Sequence, residues 1–70
     1  MYVDWVLITY MDQTEVLLKR SGKFDKNIIT AIEINEKNYL IKVAVDNENI
    51  VSYPMANILS YTYSRLHEEE

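Results

Sequence analysis

Cysteine is absent from this 70-residue chain, so no disulfide and no thiolate–metal site can staple it. The single histidine, His67, has no cysteine to share a zinc site with. One glycine leaves no room for a Gly-rich phosphate loop, and one proline leaves little rigid punctuation. No apolar run approaches the length of a membrane-spanning helix. The start, Met1-Tyr2-Val3-Asp4-Trp5, lacks a basic segment ahead of its apolar residues, and no small-residue cleavage pattern follows, so no signal peptide is expected. Excess positive charge is also missing. The net charge is −4, and Glu68-Glu69-Glu70 supplies three of the acids; residues 1–67 hold eight acids against seven bases. A near-neutral body has no general attraction for nucleic acid or anionic lipid. A protein of the reducing cytoplasm, off the membrane, is the expectation.

What is present is apolar area. Hydrophobic residues make up 49%, and six tyrosines join Trp5 and Phe24, which is a globular rather than a disordered composition. Seventy residues allow one domain. At this size roughly 60% of the unfolded surface is buried, so the core is marginal and oligomerisation is one of two ways to strengthen it.

The pattern is that of strands. Ile28–Asn35 alternates Ile28, Thr30, Ile32 and Ile34 against Ile29, Ala31, Glu33 and Asn35. After Glu36-Lys37-Asn38, Tyr39–Asp46 alternates Tyr39, Ile41, Val43 and Val45 against Leu40, Lys42, Ala44 and Asp46, which predicts an antiparallel hairpin. Asp46-Asn47-Glu48-Asn49 is a polar turn. Val3–Met11 is apolar on both faces: Val3, Trp5, Leu7, Thr9 and Met11 on one, Asp4, Val6, Ile8 and Tyr10 on the other. Asp12-Gln13 turns into Thr14–Arg20, whose Glu, Leu and Lys also suit a helix; the tight turn and flanking β-branched residues favour a strand. Ser21–Asn27 reads as a loop, with Gly22 the natural place for a positive φ.

Asn49–Tyr63 closes the chain. Pro54 fixes its own φ and pushes Tyr53 toward extended backbone, so a strand over Ile50–Tyr53 must stop there. Pro54-Met55-Ala56-Asn57 is the length of one 3₁₀ turn. A last strand follows, with Ile58, Ser60 and Thr62 on one face and Leu59, Tyr61 and Tyr63 on the other. Strands at this spacing predict an all-β fold, a five- to six-stranded antiparallel barrel over residues 1–63, with 64–70 an acidic tail or short helical turn.

The order of hairpin, polar turn, Asn-Ile-Val-Ser-Tyr, Pro-Met-Ala-Asn turn and Ile-Leu-Ser-Tyr-Thr-Tyr resembles the C-terminal half of SH3-like and Sm-like barrels. The resemblance covers about residues 39–63. The first half departs from the Sm pattern, because it begins directly with a strand rather than a helix. In general look the chain is similar to small proteins of bacteriophages and prophages. That resemblance implies an accessory protein that binds and modulates a host protein.

Three surfaces are candidates for function. Tyr53, Leu59, Tyr61 and Tyr63 form a stripe suited to a protein partner or to self-association, the other reading being core packing. An inward Ile58 would turn the Leu59 face outward. Lys19, Arg20, Lys23 and Lys26, with Phe24 to stack on a base, are candidate nucleic-acid contacts. Asp25 interrupts that cluster, so nucleic acid is the less favoured partner and a solvated loop the plainer reading. The acidic end is read as a solubilising tail. No catalytic residues are assigned: His67 lacks an acid and a nucleophile, and Ser52, Ser60 and Ser64 lack a base. The expected function is therefore a non-enzymatic interaction module without cofactor or metal, forming a homo-oligomer through edge pairing of its first or last strand, or through the stacked stripe. An oligomeric sponge for a small nucleotide is the other alternative.

Overall fold

A computed structural model describes residues 1–46 and 48–65. Asn47 and the acidic end, with His67, lie outside the described residues. Among the described residues seven strands run in order: β1 Tyr2–Tyr10, β2 Glu15–Lys19, β3 Lys23–Phe24, β4 Asn27–Asn35, β5 Leu40–Val45, β6 Ile50–Pro54 and β7 Ile58–Arg65. A 3₁₀ turn, Met55–Asn57, joins β6 to β7. All ladders are antiparallel. The expected strands and the expected 3₁₀ turn are present, and Thr14–Arg20 contributes a strand. β3 forms inside the segment read as a loop, and β7 runs two residues past Tyr63.

The sheet follows the path β2-β1-β4-β5-β6, with β3 on β4 and β7 on β1. β1 is the hub. One edge pairs with β4 at Tyr2 and Val3, then with β2 from Trp5 to Thr9; the other edge pairs with β7 over most of its length. Of the two strands expected to offer an edge, the first is therefore interior, while the last, β7, pairs with β1 alone among the described residues; β2 occupies the end of the path. Among the described residues no ladder joins β6 to β7, so the sheet is open where a closed barrel was expected. Pro54 has no N–H to offer there, and β7 spends its bonds on β1.

Among the described residues every buried one is apolar. All but Leu18 and Met55 are valine or isoleucine: Val3, Val6, Ile8, Ile29, Ile32, Ile34, Ile41, Val43 and Val45. β5 follows strict alternation, with Ile41, Val43 and Val45 inward. Three other strands do not. In β1 the step from Val3 to Trp5 crosses one residue of β7, leaving Asp4 as a bulge. In β4 the step from Ile29 to Ala31 crosses one residue of β5, leaving Thr30, whose hydroxyl donates to the Ala44 carbonyl (3.2 Å). In β7 the bulged residue is Leu59, between Ile58 and Ser60.

A bulge flips the phase of alternation. Inward positions are consequently three apart: Val3 then Val6, Ile29 then Ile32, Ile58 then Tyr61. The faces read from uninterrupted alternation are corrected accordingly. Ile29 is 1% exposed and Ile28 36%, although Ile28 shares its alternation class with buried Ile32.

The turns also differ from expectation at one residue type. Gly22 does not have a positive φ; among the described residues Gln13, Ser21, Asp25, Tyr39 and Glu48 do. Gly22 is used for close approach, since a Cβ there would sit 3.0 Å from the Lys19 carbonyl oxygen. Gln13 (φ 72°) and Glu48 (φ 71°) end three-residue hairpin loops of the same kind. The Tyr10 N–H donates to Thr14 and the Val45 N–H to Asn49, closing each loop. Left-handed backbone costs a side-chain-bearing residue on the order of 1 kcal/mol or more, and glycine nothing. Gln13→Gly and Glu48→Gly should each raise stability by about 1 kcal/mol, or roughly 4–8 °C in Tm for a domain of this size. Thermal denaturation checks it; an unchanged or lowered Tm in both variants would refute the strain assigned to these turns.

Candidate binding groove

The β4–β5 connection is short and tightly held. Asn35 Oδ1 accepts from the Asn38 N–H (3.0 Å), and the Tyr39 N–H donates to the Glu36 carbonyl (3.3 Å). Tyr39 is driven into left-handed backbone, φ 61°, an unusual place for a bulky aromatic residue. It is consequently not the inward-facing first member of β5 that alternation assigns it. The residue is 61% exposed, while its carbonyl accepts from the Met55 N–H (3.1 Å). That bond ties the loop to the 3₁₀ turn.

Pro54 enters the turn with φ −63° and ψ 142°, and the Ile58 N–H closes it on the Met55 carbonyl. Met55 points into the core, 5% exposed. The Met11 N–H donates to the Asn57 carbonyl (2.9 Å), fixing the far side of the turn to β1. The bulge then throws Leu59 outward, 57% exposed. Between these elements lies an open groove of about 330 Å³. Glu36, Tyr39, Met55, Ile58, Leu59, Ser60 and Tyr61 line it.

Tyr61 and Glu36 close one side. The Tyr61 hydroxyl donates to Glu36 Oε2 (2.5 Å). Donation to a carboxylate favours the protonated phenol, and with partial burial it pushes the Tyr61 pKa up to about 12. The phenol therefore stays protonated through the neutral range and keeps its bond to the carboxylate. Tyr63 stacks beside Tyr61, centroids 6.1 Å apart at 27°. Burial, with Tyr10 close by, also raises the Tyr53 pKa.

The four stripe residues thus occupy two kinds of place. Tyr53, Tyr61 and Tyr63 are half-buried and pack against the core, and Leu59 stands out alone. Ile58 does face inward, yet Tyr61 and Tyr63 do so too, because the bulge at Leu59 resets the alternation between them. Glu36 and Tyr39 escaped the sequence reading. A polar turn signal was visible at Glu36-Lys37-Asn38, but nothing in the residues announces a left-handed tyrosine.

The basic segment is arranged differently. Arg20 Nε pairs with Asp4 Oδ1 at 3.1 Å, both side chains more than two-fifths exposed. Phe24 is half-buried against the core, and Lys19, Lys23 and Lys26 are exposed. Among the described residues no group of three or more His, Cys, Asp or Glu side chains is placed to hold a metal ion. No helix among them is long and apolar enough to cross a membrane. No family model matches the chain, and no curated protein or solved structure matches it significantly.

Proposed function

We propose that the chain is a non-enzymatic interaction module of the SH3-like or Sm-like small-barrel kind. Its groove holds an extended segment of a partner protein, and in the phage-type accessory role that partner is a host protein. The observation that carries the reading is Tyr39, a large aromatic residue kept in left-handed backbone at the lip of an apolar groove. Strain of that sort persists where the surrounding structure imposes it, and it clusters at binding and switch sites. Tyrosine presents broad contact area with few rotatable bonds, which suits an anchor. Glu36 at the rim and Met55 below give the segment's chemistry: an apolar side chain over Met55 and Ile58, and a lysine or arginine toward the carboxylate. The nucleic-acid alternative has less behind it, since Arg20 is already paired with Asp4.

A library of extended peptides with varied apolar and Lys/Arg positions tests this. The expected selection is for peptides carrying a cation next to an apolar residue. Glu36→Gln should weaken such peptides roughly tenfold, the size of a lost charged hydrogen bond. Tyr39→Gly should weaken them at least as much while leaving Tm unchanged or higher. Equal binding by the wild type, Tyr39→Gly and Leu59→Ser would reject the groove as the site.

A further inference from the structure

We propose that two copies of the chain join through the free edge of β2, about a two-fold axis at Leu17, into one continuous sheet. This surface is separate from the groove and does not depend on it.

β2 ends the sheet path, and among the described residues no strand pairs with its other edge. The Tyr10 N–H donates to the Thr14 carbonyl and the Arg20 N–H to that of Asp4. Bonds to β1 therefore fall on the even-numbered residues of this segment, and Glu15, Leu17 and Lys19 aim their N–H and C=O groups at the open edge. The Lys19 carbonyl already accepts from Gly22 and has one lone pair to spare. Proline is absent from β2, and its ladder with β1 is not interrupted by a bulge. The side chains of Glu15, Leu17 and Lys19 all stand exposed on the outer face, Leu17 at 55%, opposite Thr9, Leu7 and Trp5 of β1.

The segment Glu15-Val16-Leu17-Leu18-Lys19 is complementary to itself when reversed. With Leu17 against Leu17 of the second copy, Glu15 faces Lys19 of that copy, and Lys19 faces its Glu15. Each facing pair would exchange backbone bonds, about six in all. Charged residues on an edge strand ordinarily prevent pairing. Here one acid and one base lie equally far from Leu17, so the two-fold turns both into cross-strand attractions. Centring the axis on Val16 or Leu18 places neither charge opposite its counterpart. A parallel arrangement sets Glu15 beside Glu15. The two-fold also joins the Leu17 side chains, extending the Trp5–Leu7–Leu17 strip across the junction and covering part of it.

Sedimentation equilibrium of the full chain over a concentration series tests the proposal. The wild type should show a monomer–dimer equilibrium. Glu15→Lys and Lys19→Glu each convert two attractive pairs into two repulsive ones and should weaken the dimer roughly tenfold or more. Both positions are on the surface, so Tm should move little. Mixing the two variants should restore association as a heterodimer, and the double variant Glu15→Lys/Lys19→Glu should dimerise like the wild type. A wild type that stays monomeric to its highest soluble concentration overturns the proposal. So does a dimer that either single reversal leaves unchanged, or one that the mixture fails to restore.

Discussion

Ile29→Ala is expected to cost about 2–5 kcal/mol, and Ile28→Ala about 1 kcal/mol or less. The two isoleucines are adjacent, yet the bulge at Thr30 buries the first completely and leaves the second at the surface. A chain of 70 residues has a total stability of roughly 4–10 kcal/mol, so the Ile29 variant loses a large fraction of it. Its Tm should fall by about 10–30 °C. Uninterrupted alternation predicts the reverse order, because Ile28 would then share the inner face with Ile32 and Ile34. Urea unfolding of the two variants decides the matter; if Ile28→Ala proves the more damaging, the bulge is misplaced and the core is built on the other face of β4.

Met55→Ala should be comparably severe, about 2–5 kcal/mol, while Met55→Leu, which keeps the volume, should cost less than about 1.5 kcal/mol. Met55 is the one core residue supplied by the 3₁₀ turn, and its N–H holds the Tyr39 carbonyl. Removing its side chain takes away the floor of the groove as well as a part of the core. The alanine variant should therefore lose peptide binding even at temperatures where circular dichroism shows it folded, and the leucine variant should retain it. Binding by a folded Met55→Ala variant at wild-type strength would separate the groove from the turn and count against the site.

These two positions also mark the boundary between what the residues announce and what they do not. The turn that carries Met55 was readable, though not the burial of Met55 within it: a proline between two β-branched runs, with three residues before the next run, leaves space for one tight turn. Ile28 and Ile29 were not separable, because both are isoleucines in a perfect period-two pattern. The same holds for Val3 and for Leu59, each shifted to its face by a bulge one residue long. Tyr39 was lost for a different reason. A left-handed residue is usually glycine or asparagine, and here the lone glycine sits elsewhere, in a place that demands nearness to Lys19 rather than a positive φ.

By itself the sequence determined that the chain is all-β, that the runs Ile28–Asn35 and Tyr39–Asp46 pair as a hairpin, and that a 3₁₀ turn precedes the last strand. Those follow from φ restriction, β-branching and alternation, which act within a few residues of one another. The tertiary structure alone decided that β1 lies in the interior with β2 at the edge, that three bulges reset which residues face inward, and that Glu36, Tyr39 and Tyr61 meet around one groove. Each of these depends on the register and twist of a strand distant in sequence. A bulge is an answer to the partner strand, and the residue that carries it need not differ from its neighbours.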